Sequence, residues 1–207
     1  MEPSLKGWAS GKSDAIDKVK KGFQNFVGGI EPMLLHYCIR KYLVSSPDDY
    51  YITDFSKGAM ETDKANVNRT ERYKRWIDLL KEEVKLLSRQ DQDTQIIAVG
   101  KAVEDDLRKY GFDKPTKKII HYSRQAAIWR EEFAKSQPAE FDQFQNTVNI
   151  EDRRLIAHTV IDESGVPPIF ADKAKAQFDK LDLDRAPTNY YRKFLFSYKN
   201  QFRELGT

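Results

Sequence analysis

The chain has 207 residues, of which 40% are hydrophobic and 32% charged, and its formal net charge is +3. This composition is too apolar for a disordered chain and matches one globular domain with room for a helical extension. The mild positive charge allows contact with phosphate groups but does not require it. The single cysteine, Cys38, excludes an intrachain disulfide and any zinc or iron–sulfur site made of several cysteines.

The sequence carries no pattern of a membrane segment, a metal site or a cofactor motif. No apolar run reaches the roughly 18 residues that span a bilayer, and the first residues do not resemble a signal peptide. Cysteine–histidine metal spacings and glycine-rich phosphate loops are also missing. We therefore expect a cytoplasmic protein with no membrane partner, no metal and no cofactor. We also expect the protein to be a monomer.

The first part of the sequence predicts two helices and a short strand. Ser13 has the chemistry of an N-cap for a helix over residues 14–26, and a second helix follows over about 31–43. Tyr50–Thr53 is aromatic and β-branched, which predicts a buried strand. Residues 55–68 are polar and irregular, and long loops of this kind are usually functional.

The central part predicts an alternation of helices and strands. Residues 70–87 have helical apolar spacing, with one face formed by Trp76, Leu79, Leu80, Val84 and Leu87. Two strands are predicted at Thr94–Val99 and Lys117–His121, and the helix between them should end at Gly111. Strands that alternate with helices form parallel sheets, and ligands bind beyond the carboxyl ends of such strands.

The last part of the sequence is helical in pattern from Gln125 onwards, with breaks at its prolines. Near the end, aromatic and leucine residues recur at helical spacing, which is typical of a core-facing stripe: Tyr190, Tyr191, Phe194, Leu195, Tyr198 and Phe202. His36 and His158 lie within helical patterns, where packing is a commoner role than metal ligation.

Candidate functional residues follow two of the predicted strands. His121 leaves a strand just before Ser123-Arg124-Gln125, so its ring could transfer a proton or stabilise a leaving group. Ser123 and Gln125 could cap the next helix, and Arg124 could contact a phosphate. His121 also has a purely structural interpretation, because it could simply cap a helix.

Two further segments have the same ambiguity. Asp54 and Lys57 lie on the exit from another predicted strand, where they could bind a ligand or form a turn and an ion pair. Phe26 precedes Gly28-Gly29, and its ring could stack on a flat ligand or pack in the core. Glu2 comes directly before Pro3, which favours an extended backbone.

Together and in this order, these segments resemble the motifs of the uracil-DNA glycosylase superfamily. The matching segments are Met1-Glu2-Pro3-Ser4, Phe26-Val27-Gly28, Ile52 to Lys57, Ile96 to Gly100, and His121-Tyr122-Ser123. The resemblance implies a three-layer α/β/α core with a small parallel sheet over residues 1–135. Residues 136–207 would form a helical extension packed on the same domain.

The resemblance also implies an activity: hydrolysis of the N-glycosidic bond of uracil or another modified base that is flipped out of the duplex. The partner would be DNA, which could be single-stranded or damaged. It assigns Glu2 and His121 to catalysis, and it assigns base binding to Pro3, Phe26, Asp54 and Ser123. Lys57, Arg124 and Gln125 would contact DNA. Asp54 stands where this superfamily often has Asn, and an ionised Asp offers only acceptors, so the resemblance does not fix the target base.

Two other interpretations are compatible with the sequence. A member of the same fold could have kept nucleic-acid binding and lost the reaction. Alternatively, an unrelated small α/β protein could bind a nucleotide or a partner through its helical C-terminal half.

Overall fold

The computed structural model describes residues 12–22, 29–55, 69–88, 94–112, 116–181 and 189–205. These residues form two compact units: unit 1 contains Ile52–His121, and unit 2 contains the segment up to Tyr51 together with the chain from Tyr122 onwards. The division differs from the boundary near residue 135 predicted from the sequence, because helices on both sides of that position belong to unit 2.

The described part of the chain is mainly helical, with one small sheet. Its helices are α1 (Lys12–Lys20), α2 (Ile30–Tyr42), α3 (Arg69–Leu87), α4 (Lys101–Lys109), α5 (Ala127–Ser136), α6 (Pro138–Gln145), α7 (Ile150–Glu163), α8 (Pro168–Asp179) and α9 (Tyr190–Leu205). Two strands, β1 (Ile96–Val99) and β2 (Thr116–Ile119), pair in parallel, with Ile96 opposite Thr116 and Val99 opposite Ile119. The fold is therefore a mixed α/β structure, as the sequence predicted.

The strand predicted at Tyr50–Thr53 is wrong. Tyr50 has an extended backbone, but the segment joins no strand ladder. Tyr51 is 60% exposed, whereas a buried strand would enclose its side chain. The end of the segment is held by a side-chain contact instead: the Thr53 hydroxyl donates to the Glu83 carboxylate over 3.1 Å.

Helix α1 ends earlier than the predicted helix over residues 14–26. Its last residue is Lys20, and Gly22 has φ = 85°, a left-handed conformation that ends a helix. A Cβ at Gly22 would lie 2.9 Å from the ring of Pro167, so the position also requires glycine for space. The rest of that predicted helix, and most of the loop predicted at residues 55–68, lies outside the described residues.

Unit 1 has a core between α3, α4 and the sheet. Its buried members are Phe55, Tyr73, Ile77, Leu80, Ala98 and Leu107. The face predicted for α3 is partly wrong, since Leu79 and Leu87 are 43% and 51% exposed while Tyr73 and Ile77 are buried. The helix thus presents a stripe centred on residues 73, 77 and 80 to the core.

Unit 2 has its core where α2, α5, α7 and α9 pack together. The predicted aromatic stripe of α9 is confirmed for four residues, because Phe194, Leu195, Tyr198 and Phe202 are all at most 1% exposed. Tyr190 and Tyr191, at the start of the helix, are half-buried. In the residues that the structure describes, no helix is long and apolar enough to cross a membrane.

Candidate functional site

His121 and Gly100 lie together at the carboxyl ends of the two strands of unit 1. The Gly100 amide donates to the Ile119 carbonyl over 2.8 Å, which extends the β1–β2 pairing past the end of β1. Gly100 has φ = 101° and precedes α4. A Cβ there would lie 3.3 Å from Cβ and 3.4 Å from Cδ2 of His121, so the absence of a side chain leaves room for the imidazole.

Asp54 lies on a separate segment of unit 1 whose backbone is held on both sides. The Thr53 hydroxyl donates to Glu83, and the Phe55 ring stacks on Tyr73 with 4.2 Å between ring centroids. Phe55 is buried, whereas Asp54 is exposed. Asp54 is therefore an exposed residue between two neighbours whose side chains are held in place.

The residues after His121 form a single turn in unit 2. Ser123 precedes a 3-10 turn over Arg124–Ala126, and α5 follows directly. The prediction that Ser123 and Gln125 cap the next helix is wrong. The Ser123 side chain makes no capping hydrogen bond, and Ala126 rather than Gln125 occupies the N-cap position of α5. Gln125 is exposed on the turn.

Arg124 is tied to the first turn of α2. Its Nε donates to the Glu31 carboxylate over 2.9 Å, and its side chain remains 78% exposed. The hydrogen bond to Glu31, the negative charge of that carboxylate and a further hydrogen bond to Tyr191 all raise the pKa of Arg124. The guanidinium is thus held in place while much of it faces solvent, and its contact with DNA stays a prediction.

Arg130 of α5 is a buried residue for which the sequence analysis predicted no role. Only 1% of it is exposed, and its Nη2 donates to the Ser123 carbonyl and to the Tyr190 hydroxyl, each over 3.0 Å. Its guanidinium carbon also lies 4.8 Å from the centre of the Phe194 ring. The signal for its burial was its spacing, because the buried Ala126 and Ala134 lie one helical turn before and after it.

A small open cavity of about 190 Å³ adjoins Arg130 within unit 2. Its lining consists of Ala127, Ile128, Arg130, Glu131, Tyr190 and Lys193. Lys193 and Lys135 form ion pairs with Glu131 and lower its pKa. The cavity is smaller than the pockets of roughly 300–1,000 Å³ that hold drug-sized ligands.

The other two histidines have packing partners, as predicted. Nδ1 of His36 is 3.0 Å from the Tyr50 hydroxyl, and burial lowers the pKa of His36 to about 4. Nε2 of His158 is 2.9 Å from the Asp179 carboxylate. Within the described ranges, no group of three or more histidine, cysteine and carboxylate residues is arranged to hold a metal ion.

The remaining predicted site residues lie outside the described part of the chain: Glu2, Pro3, Phe26 and Lys57. Of the residues that are described, Asp54 and His121 belong to unit 1, and Ser123, Arg124 and Gln125 belong to unit 2. Comparison with known proteins found no matching family model, no matching curated protein and no matching solved structure.

Proposed function

We propose that the chain is a DNA-base glycosylase of the uracil-DNA glycosylase type, with the three-layer α/β/α core of that superfamily. It would hydrolyse the N-glycosidic bond of a modified base flipped out of DNA. The observation that carries the proposal is the order β1, Gly100, α4, β2, His121 in unit 1, with the imidazole directly beside the glycine. This is the order of the last two motifs on which the resemblance rests.

His121 supplies the group that stabilises the leaving base. It follows the end of β2 by two residues, and it is half-buried against Gly100. A donor held in this way needs no rearrangement when negative charge develops on the departing base. Removal of such a preorganised donor typically costs about 10²–10³ in rate.

Asp54 reads the base in this proposal. An ionised carboxylate accepts hydrogen bonds and donates none, so it would favour a base edge with an N–H or amino group and disfavour a carbonyl oxygen. The anchored neighbours Thr53 and Phe55 keep its backbone in place. The Asp54→Asn variant, which offers both a donor and an acceptor, should shift the preference towards uracil.

The resemblance assigns the other roles, to four residues outside the described ranges and to three residues of the turn that precedes α5. Glu2 would position water and stabilise the cationic sugar, with Pro3 beside it, and Phe26 would stack on the base. Lys57, Arg124 and Gln125 would contact the DNA backbone, together with Ser123 near the base. Contacts of this kind to phosphates predict binding that weakens as salt concentration rises.

A glycosylase assay tests the proposal. Single-stranded and duplex oligonucleotides that carry uracil, hypoxanthine or another altered base are incubated with the full chain, and abasic sites are revealed by alkaline cleavage. We expect product from at least one substrate and a rate loss of about 10²–10³ in His121→Ala. His158→Ala is the matched control, because that histidine contacts Asp179 on another pair of helices and should not affect the rate.

The assay also separates the proposal from its main alternative. If no oligonucleotide yields an abasic site, the glycosylase function is wrong. Salt-sensitive DNA binding that persists in His121→Ala, with no cleavage by either protein, would indicate a non-catalytic nucleic-acid-binding member of the fold.

A further inference from the structure

The cavity beside Arg130 is bordered by more positive than negative charge. It lies within unit 2, and the described residues that line it are Ala127, Ile128, Arg130, Glu131, Tyr190 and Lys193. Two of these side chains are cationic and one is a carboxylate. The pKa of Glu131 is lowered, chiefly by its hydrogen bond with Lys193, so the carboxylate is ionised at neutral pH. The described lining therefore keeps one net positive charge.

Both cations are held at the cavity wall by contacts of their own. Arg130 is 1% exposed, and its Nη2 donates to the Ser123 carbonyl and to the Tyr190 hydroxyl, each over 3.0 Å. Lys193 forms an ion pair with Glu131, and its side chain is 15% exposed. Charges that are shielded from water attract an anion more strongly than the same charges on an open surface. An anion in the cavity would thus meet two positive groups that are already in place.

The hydrogen-bond donors on the lining come from two helices. Arg130 belongs to α5, whereas Tyr190 and Lys193 lie in the first turn of α9, and the start of a helix also favours an anion. The Tyr190 hydroxyl accepts from Arg130 through a lone pair, so its own hydrogen can donate to a bound group. The ammonium of Lys193 has three N–H donors, and its hydrogen bond to Glu131 uses one of them.

The volume of the cavity limits what it can hold. At about 190 Å³ it has the room of about six water molecules, because a water occupies roughly 30 Å³ of the liquid. This room suits one phosphate group and excludes a drug-sized molecule. A phosphate monoester carries about −1.5 to −2 charge at pH 7 and three acceptor oxygens. A carboxylate brings a single charge and two oxygens, so it would use fewer of the donors on the lining.

We propose that this cavity binds a phosphate group through Arg130, Lys193 and the Tyr190 hydroxyl. Inorganic phosphate and the phosphate of a small monoester share the required chemistry, and the cavity is open to solvent on one side. The described lining belongs to unit 2, and the proposal does not depend on the proposed glycosylase function.

Titration of the full chain with inorganic phosphate at constant ionic strength tests the site. Nuclear magnetic resonance follows the backbone amide resonances, and those of Ala127, Tyr190 and Lys193 should shift along one saturating curve. We expect a Kd of about 1 mM or tighter, and chloride at the same ionic strength should give no saturation. Shifts that do not saturate, or that leave these three amides unaffected, would overturn the proposal.

Changes of charge on the lining distinguish this site from a general attraction of anions to a basic protein. Lys193→Gln removes a cation and should weaken phosphate binding at least about tenfold. Glu131→Gln removes the opposing charge and should strengthen binding about threefold or more. Weaker binding in Glu131→Gln would contradict the assigned role of the lining charges.

Lys175→Gln is the matched control. Lys175 is a partly buried lysine of the same unit that pairs with Asp162 and does not line the cavity. Its replacement makes the same change in net charge as Lys193→Gln and should alter Kd by less than about twofold. Equal weakening in the two lysine variants would overturn the proposal.

Tyr190→Phe keeps the test decisive if a change of charge unfolds the chain. It retains the ring beside Arg130 and removes only the hydroxyl. The loss of one hydrogen bond should weaken phosphate binding about threefold or more. An unchanged affinity in this folded variant would remove the hydroxyl from the site and contradict the proposal.

Glycerol 3-phosphate and glycerol identify the source of the phosphate group. Binding of inorganic phosphate but not of glycerol 3-phosphate would support a site for the free anion. Binding of both, weakened in each case by Lys193→Gln, would support a site that also accepts a phosphate monoester. Glycerol lacks the phosphate and should not bind, and equal binding of glycerol and glycerol 3-phosphate would overturn the proposal.

Discussion

The imidazole of His121 occupies the space that a side chain at position 100 would need. A Cβ on Gly100 would stand 3.3 Å from Cβ and 3.4 Å from Cδ2 of His121. Contacts this short require one of the two groups to move, and the His121 backbone lies just after the pairing between Gly100 and Ile119. Glycine at this position is thus required both for its own backbone conformation and for the placement of the histidine.

We expect Gly100→Ala to lower the free energy of unfolding by roughly 2–4 kcal/mol, because it adds a contact with His121 to a φ of 101°. Gly111→Ala is the matched control: its φ is 65°, and nothing lies within 4 Å of the added carbon. Gly111→Ala should cost only about 1–2 kcal/mol. Urea unfolding of the two variants measures the difference, and equal losses would show that the contact with His121 has no energetic consequence.

Two glycines illustrate what could be predicted from the sequence. The sequence predicts that Gly111 ends α4, and it does so in a left-handed conformation, with the Phe112 amide donating to the Leu107 carbonyl over 3.0 Å. It also predicts that Gly100 closes a strand, and this glycine follows β1 directly. Both predictions succeeded because the signal is local: a glycine favours the end of a periodic segment through its own backbone freedom, whatever packs around it.

Predictions that depended on distant contacts were less successful. The spacing in α3 allowed two neighbouring apolar faces, and only contact with Phe55 and the sheet selects the one containing Tyr73 and Ile77. Tyr50–Thr53 has strand-forming residues, but a strand needs a partner that local sequence does not specify. The sequence made no prediction for Arg130, whose guanidinium donates to the Tyr190 hydroxyl of α9, 60 residues away in the sequence.

His36 makes the stability of the protein sensitive to acid. Burial lowers its pKa from 6.5 to about 4, so the folded chain binds a proton less readily than the unfolded chain. The contribution of uncharged His36 to the free energy of unfolding is complete above the pKa of the unfolded chain. It is lost as the pH falls from about 6.5 towards 4. We expect the loss between pH 7 and pH 4 to be about 3 kcal/mol.

The variant His36→Gln isolates this contribution, since its amide can still hydrogen-bond to the Tyr50 hydroxyl but does not titrate. Urea unfolding of both proteins across the pH range gives the two stability curves. The unaltered protein should lose about 3 kcal/mol more than the variant on the acid side. Parallel curves would mean that His36 is protonated in the folded state as easily as in the unfolded chain.

Two buried arginines should respond in opposite directions to replacement by methionine. Arg153 of α7 is 2% exposed, and its Nε and Nη1 have no hydrogen-bond partner in the part of the chain that the structure describes. Burial is the main cause that lowers its pKa. Arg153→Met should therefore leave the free energy of unfolding unchanged or raise it, by up to roughly 4 kcal/mol.

Arg130→Met removes a guanidinium of equal burial that donates to Ser123 and Tyr190, and it leaves those two oxygens without this donor. We expect it to lower the free energy of unfolding by at least about 2 kcal/mol. Denaturant unfolding of both variants provides the comparison. Destabilisation of similar size in both would indicate that Arg153 has stabilising contacts of comparable strength.

Leucine-to-alanine changes on a single helix test which face of α3 packs against the core. Leu80 is 6% exposed and belongs to the core of unit 1, whereas Leu86 is 85% exposed. Leu80→Ala should lower the free energy of unfolding by roughly 2–5 kcal/mol, because it removes buried apolar surface and leaves a cavity. Leu86→Ala deletes the same atoms from solvent and should change stability by less than about 0.5 kcal/mol. Since the helix, the residue type and the number of deleted atoms are the same, the difference reports burial alone, and two equal effects would contradict the assigned orientation of α3.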